Sequence, residues 1–216
     1  MFIFSNLAMS LDGKIATTHR TFLPLGTIED LKQMKALRKD CDALLMGAST
    51  LRVYKKPCLI PDQILQPINI VVSTHLNDIL PSWKFFTQPN LQRILFVGQK
   101  TAKAKIRDFS KSSEIVVLKE PSPRNPIARQ ITRFLETKNV TRLLVEGGGG
   151  IMWDFVSQGL IDEYHVTLTP KIIGGAKSPT LVDGAGLRPT HLSHLTLRQC
   201  RILGDELYLI YAKKIT

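Results

Sequence analysis

Arg142-Leu143-Leu144-Val145-Glu146-Gly147-Gly148-Gly149-Gly150-Ile151-Met152-Trp153-Asp154-Phe155-Val156 is the stretch on which the fold turns. Leu143, Leu144 and Val145 form a continuous apolar run, the composition of a parallel strand buried on both faces. Ile151, Met152, Phe155 and Val156 then fall on one face of a helix. Gly159 stands where a helix C-terminal glycine belongs. Between strand and helix lie one carboxylate, Glu146, and four consecutive glycines. Glycines let a ligand approach the backbone closely. The free amides of the helix N-terminus favour an anion there, most simply a phosphate. The same glycines could instead serve only as a tight strand-to-helix turn. Their spacing matches neither the dinucleotide G-x-G-x-x-G nor the P-loop.

Composition sets the frame around this stretch. The chain has 216 residues, 44% hydrophobic and 22% charged, ordinary for a globular protein. No apolar run is long enough to span a bilayer. The apolar N-terminus, residues 1–12, lacks a basic leader and a small-residue cleavage site, so no signal peptide is expected. Cys41, Cys58 and Cys200 are odd in number and far apart. They suggest a reducing, cytoplasmic compartment and no disulfide framework. Neither Cys-x-x-Cys nor His-x-Glu occurs, which removes the usual zinc sites and the zinc deaminase signature; no metal is expected. The formal net charge is +11, but aromatic residues are only 7%. With no nucleic-acid-binding motif, the charge suits small phosphorylated ligands better than nucleic acid. Lys100, Lys103, Lys105, Arg107 and Lys111 fit the wet side of a short helix.

Outward from the centre, the pattern is α/β. Strands are expected at Phe2–Leu7, Ala43–Met46, Ile68–Val72, Ile94–Val97 and Glu114–Leu118. Thr27 is placed to cap a helix whose apolar side is Leu31, Met34, Leu37 and Cys41, with Arg38 near its end. Asn125 and Pro126 read as N-cap and first residue of the helix carrying Ile127, Ile131, Phe134 and Leu135. Gly47-Ala48-Ser49-Thr50 ends the second strand as the glycines end the central one. Ligands of open α/β sheets bind beyond the carboxyl ends of strands, so both bends are expected to face one crevice. Glu163–Leu168, His191–Cys200 and Glu206–Ala212 lack long helices between them and should pair antiparallel. His165, His191 and His194 read as strand residues rather than acid–base groups. The expected architecture is one domain, residues 1–216: a mixed, mostly parallel sheet with helices on both faces and an antiparallel C-terminal part.

Five pieces stand in a recognisable order: Ser10-Leu11-Asp12-Gly13-Lys14-Ile15-Ala16, Leu37-Arg38-Lys39-Asp40-Cys41-Asp42-Ala43, Gly47-Ala48-Ser49-Thr50, Val145-Glu146-Gly147-Gly148, and Gly159-Leu160-Ile161-Asp162-Glu163 running on to Pro170-Lys171-Ile172-Ile173-Gly174-Gly175. Together they resemble the pyrimidine reductase of riboflavin biosynthesis, a stand-alone form without the deaminase segment to which that reductase is often fused. The resemblance covers almost the whole chain. It implies a dihydrofolate-reductase-like fold, NADPH as hydride donor, a ribosylamino-pyrimidine 5′-phosphate as substrate, and a homodimer. It also implies roles. Ala8 and Thr50 would lie along the cofactor. Gly148, Gly149, Gly150 and Ile151 would carry its pyrophosphate, and Thr74 would reach its adenosine side. Arg38, Lys14 and Glu146 would meet the substrate, Glu146 and Lys14 nearest the chemistry. Plainer roles stay open: Glu146 as a partner for a backbone N–H, Lys14 as a solvated turn residue.

The chain departs from that family at two places. Tyr54-Lys55-Lys56 stands where Asp-Asp-Pro or Asp-Asn-Pro is usual. Phe22 and Pro24 stand where a Ser and a Trp usually face the ligands. Replacing acid by lysine reverses local charge. Either Lys55 or Lys56 then reaches the substrate phosphate, or the substrate is another small carbonyl, imine or pterin-like compound. A nucleotide- or nucleic-acid-binding module without turnover is a third reading, supported by the basic charge alone.

Overall fold

The computed structural model describes residues 1–214. Its strands are β1 (Phe2–Ser10), β2 (Ala43–Gly47), β3 (Ile68–Ser73), β4 (Arg93–Gly98), β5 (Glu114–Leu118), β6 (Arg142–Val145), β7 (Glu163–Thr169), β8 (Leu195–Leu203) and β9 (Glu206–Lys213). Its helices are α1 (Ile28–Lys39), α2 (Ala48–Tyr54), α3 (Lys84–Thr87), α4 (Lys103–Phe109), α5 (Ile127–Glu136) and α6 (Gly149–Val156). The strands join in the order β5-β4-β3-β2-β6-β1-β7-β9-β8. Pairing is parallel from β5 to β7 and antiparallel at β7–β9 and β9–β8. This is the mixed sheet expected, with an antiparallel C-terminal part. Among the described residues, no helix is long and apolar enough to cross a membrane.

Strand alternation divides the core. Ala43, Leu45, Val145 and Ile3 face the layer of α5 and α6, against Ile131, Leu135, Met152 and Phe155. Phe4, Leu44, Met46 and Leu144 face the other layer, against Leu51, Phe85, Phe86 and Phe109. Helices therefore cover both faces. The central strands are buried on both sides, which is why they read as unbroken apolar runs.

Several boundaries differ from expectation for identifiable reasons. The first strand does not stop at Leu7: Ala8, Met9 and Ser10 pair with Thr167, Leu168 and Thr169, a tertiary partner that local pattern does not announce. Thr27 precedes α1, but its hydroxyl donates to Glu206 Oε2 at 2.7 Å rather than capping the helix. Glu206 is only 2% exposed and needs that donor. Helix α1 has no fully buried residue, and Leu31 is exposed, so its expected apolar side shrinks to Leu37 and Cys41 against the core. Pro126 is itself the cap of α5, one position later than expected. His165 lies in β7, whereas His191 sits in a 3₁₀ turn and His194 just before β8. The four-residue α3, unforeseen, buries Phe85 and Phe86.

Candidate active site

Strand β6 lies between β2 and β1, so the carboxyl ends of these three strands meet at one edge. Glu146 continues the β6 ladder, its N–H donating to the Leu45 carbonyl at 2.9 Å. The glycines follow, and they divide by function. A Cβ on Gly147 would stand 2.6 Å from Ile151 Cβ. A Cβ on Gly149 would stand 2.5 Å from the Thr180 carbonyl and from Asp183 Oδ2. These two positions are glycine because the backbone is packed there. Gly148 and Gly150 meet nothing within 4 Å. Gly148 caps α6 with extended backbone, and Gly150 is exposed. The corner thus keeps an open backbone face at the N-terminus of α6, where free amides suit a phosphate. Packing of the turn accounts for glycine at Gly147 and Gly149, whereas at Gly148 and Gly150 no neighbour excludes a side chain. A Cβ on Gly47 would lie 3.1 Å from Ile151 Cγ1, so the two glycine bends adjoin across one side chain.

Glu146 turns toward the α1 layer and meets Arg38. The Arg38 Nε donates to both carboxylate oxygens, at 3.0 and 3.1 Å, and Nη2 donates to Oε2 at 2.6 Å. Side-chain exposures of 17% and 10% leave the pair mostly shielded yet reachable. Burial by itself would loosen the Arg38 proton, but the Glu146 charge and its hydrogen bonds outweigh this and raise the pKa above its usual value. Burial and then the Glu146 charge push the thiols of Cys41 and Cys58 up to about 12, and burial raises Tyr54. These two thiols and the Tyr54 hydroxyl are therefore neutral at pH 7. The plainer reading of Glu146 as partner to a backbone N–H is replaced by this side-chain pair.

Lys14 lies on the loop that follows β1. It bridges Thr180 in an antiparallel pair, and its Nζ approaches the Ser178 carbonyl at 3.4 Å. No hydrogen bond or ion pair joins it to Glu146, so the structure pairs Arg38 with Glu146 and leaves Lys14 on the loop after β1. Asp12, two residues earlier, latches that region. It accepts hydrogen bonds from the N–H groups of Ile173 at 3.0 Å and Gly174 at 2.7 Å. The Ser10 hydroxyl donates to it at 2.6 Å. Ser10 and then these amides lower the Asp12 pKa to about 2.

The remaining expected residues lie on the surrounding elements. Ala8 is half-buried on β1, opposite Thr167. Thr50 is half-buried in the first turn of α2. Thr74 is exposed just beyond β3, its carbonyl taking the Gly98 N–H at 3.2 Å. Lys55 is the left-handed C-cap of α2, with its ammonium 5.5 Å from the centroid of the Trp83 ring. Lys56 is exposed, and Phe22 packs edge-on against Tyr54 at 5.4 Å.

One residue of this floor escaped the sequence reading. Asn6 is 8% exposed, and its Oδ1 has no hydrogen-bond partner. It follows Ser5, the partner of Val145 in the β1–β6 ladder, so it stands in line with Glu146. An amide oxygen left unpaired while buried is costly. A polar residue on an otherwise apolar strand face was the available signal.

The RibD C-terminal domain family model matches residues 1–209. The 2,5-diamino-6-ribosylamino-4(3H)-pyrimidinone 5′-phosphate reductase of Archaeoglobus fulgidus is 29% identical over 212 residues, covering 93% of this chain and 90% of the relative. The protein of the same name from Methanothermobacter thermautotrophicus is 28% identical, covering 99% of this chain and 98% of the relative. Against the riboflavin biosynthesis protein RibD of Synechocystis the match covers 92% of this chain but 53% of that one. Among solved structures, a pyrimidine reductase-like protein from Corynebacterium diphtheriae superposes with a TM-score of 0.86 at 18% identity, covering 100% of this chain and 92% of that one. The dihydrofolate reductase of Enterococcus faecalis gives 0.56 at 12% identity, with 99% and 97% covered, and marks the same fold. This chain belongs to the RibD C-terminal domain family.

Proposed function

We propose that this chain is a single-domain, NADPH-dependent reductase that converts a ribosylamino-pyrimidine 5′-phosphate to its ribitylamino product in riboflavin biosynthesis. The observation that carries this reading is the open backbone at Gly148 and Gly150 beside the shielded Glu146–Arg38 pair. One feature suits a dinucleotide's phosphates and the other a polar substrate, and they are neighbours along the chain. Relatives of nearly the same length bear the name of that reductase.

The bound nicotinamide supplies the hydride. The chain supplies place and polarity. Gly148, Gly149, Gly150 and Ile151 offer backbone amides to the cofactor's pyrophosphate. Gly47 and Ala8 let the dinucleotide lie close to the ends of β2 and β1, with Thr50 along it and Thr74 toward the adenosine. Glu146, already aligned by Arg38, accepts hydrogen bonds from hydroxyl or N–H groups of the substrate. Lys14 turns its ammonium to the sugar, since the Ser178 carbonyl at 3.4 Å holds it only weakly. With the cofactor bound, the reaction would require hydride addition at ribose C1′ with cleavage of its bond to the ring oxygen, which would take up a proton.

We also propose a homodimer, formed through the C-terminal edge of the sheet. Edge strand β8 exposes Leu195, Leu197 and Ile202, and the preceding turn exposes Leu192. Monomers seldom leave such an edge uncovered. The free thiols of Cys41, Cys58 and Cys200 suit a reducing, cytoplasmic setting.

The test is NADPH consumption with the ribosylamino-pyrimidine 5′-phosphate, followed by product identification. Formation of the ribitylamino compound in step with NADPH loss supports the proposal. Tight NADPH binding without turnover of that compound would refute it. That outcome would favour another small carbonyl, imine or pterin-like compound, a reading supported by the departures at Phe22, Pro24, Tyr54, Lys55 and Lys56.

A further inference from the structure

A cleft of about 470 Å³ opens between α2 and the loop at residues 20–22. Arg20, Arg52 and Lys55 line it, with the Ser49 hydroxyl and the Phe22 ring. Ser49 and Arg52 share one helix face by their spacing. No lining residue carries a carboxylate. None of the three cations is in an ion pair with any described residue. Their contacts are with neutral groups. Arg20 Nη1 lies 3.4 Å from Ser49 Oγ. Arg52 gives Nε and Nη2 to the Asn77 carbonyl, at 3.1 and 3.0 Å. Lys55 sits over Trp83. Arg20 and Lys55 both hold left-handed backbone, with φ of 51° and 53°. Non-glycine residues pay for that conformation.

Three positive groups gathered without a counter-ion repel one another, and an anion that enters between them relieves the repulsion. Arginine forks match the oxygens of a phosphate, and a serine hydroxyl adds a donor. We propose that this cleft is a phosphate-monoester site built by Arg20, Arg52 and Lys55 and completed by Ser49. The proposal rests on the reductase reading above. That reaction brings two such groups, the 2′-phosphate of NADPH and the 5′-phosphate of the sugar. Helix α2 joins the cleft to both halves of the crevice. A Cβ on its cap, Gly47, would lie 3.1 Å from Ile151 of the glycine corner, and its last residue, Tyr54, lies within the field of Arg38 and packs on Phe22. The two sources share one chemistry and differ only in which ligand carries it. The site also gives a physical reason for lysine where the family usually has acid: a carboxylate in this wall would oppose the same dianion.

The test is equilibrium binding, without turnover, to the full chain and to Arg20→Ala/Arg52→Ala. Two ligand pairs are compared: NADPH against NADH, and the ribosylamino-pyrimidine with and without its 5′-phosphate. The double variant should lose about 30-fold in affinity for the phosphorylated member of one pair and little for the other member, as expected for charge-assisted hydrogen bonds. The pair that responds names the source. Lys111→Ala, a remote cation, should change neither, which separates a local site from the general positive field. If the double variant melts early, Arg52→Gln is read in its place. Equal losses for both members of each pair, or losses no larger than those of Lys111→Ala, would overturn the proposal. So would wild-type protein that distinguishes neither pair. Because binding alone is read, failure of turnover would refute the reductase reading without deciding this one.

Discussion

Arg38 and Glu146 meet across the gap between α1 and β6, with the guanidinium Nε within 3.1 Å of both carboxylate oxygens. The pair fixes the carboxylate's direction before any substrate arrives. Glu146→Gln keeps shape but removes the charge. It should lower kcat/KM by about 100-fold, the cost of ~2.7 kcal/mol of transition-state binding. NADPH affinity should change less than about threefold, roughly 0.6 kcal/mol. Arg38→Ala should also destabilise the fold by up to ~3 kcal/mol, since it strands a mostly buried charge. Steady-state kinetics with a parallel urea titration would separate the two effects.

The glycines of the corner should respond in opposite ways. Gly149→Ala drives a methyl group to 2.5 Å from the Thr180 carbonyl, so it should cost ~1–3 kcal/mol in stability. Gly150→Ala, in open space within α6, should leave stability unchanged or raise it by up to ~1 kcal/mol. That same substitution should weaken NADPH binding by about tenfold, ~1.4 kcal/mol, if the backbone there approaches the cofactor. Melting curves and binding isotherms on the two variants give the contrast directly.

His165 should make stability pH-dependent. Its Nδ1 lies 2.6 Å from the Tyr208 hydroxyl and its Nε2 2.6 Å from Glu163 Oε1. The neutral ring satisfies both, accepting from Tyr208 and donating to Glu163. Burial lowers its pKa below the ordinary 6.5, and this outweighs Glu163. The unfolded chain therefore binds the proton more readily than the fold does. This contribution is whole above pH 6.5 and declines as pH falls from there toward the folded-state value. Urea midpoints measured downward from pH 7 should fall, and His165→Gln should flatten that part of the slope.

Asp12 should act as a latch rather than a catalyst. Its hydrogen bonds to the Ile173 and Gly174 amides tie the Lys14 loop to the segment after β7. Asp12→Asn removes charge from those bonds. Cleavage near residues 173–176 by a nonspecific protease should quicken severalfold, with KM for the substrate raised. The carboxylate's pKa of about 2 means that the latch holds in acid until the pH falls toward that value.

Much of this architecture was legible before any coordinates. The apolar runs at Leu143–Val145 and Ile68–Val72 announced buried parallel strands, because both faces of the sheet are covered. The Glu114–Leu118 strand was placed at its true ends. The glycine corner was legible as a strand-to-helix bend, but not which of its glycines are packed and which are open. That depends on Thr180 and Asp183, which pack against Gly149 from a distant loop. The Arg38–Glu146 contact spans 108 positions and carries no local pattern. Ala8 to Ser10 looked like a strand end because Asp12-Gly13 follows at once. Only pairing with β7 carries the strand on. Asn6 showed in the sequence only as a polar residue on the strand face of Phe2 and Phe4, and its missing partner is a tertiary fact.

The central claim is hydride delivery to the sugar carbon at this crevice. The most direct measurement supplies NADPH deuterated on the transferable face of its nicotinamide and follows the label by mass spectrometry and NMR. One deuterium is expected at C1′ of the ribityl chain, formed by wild-type protein and nearly abolished in Glu146→Gln. Product without deuterium at C1′, or label in the pyrimidine ring, would contradict it.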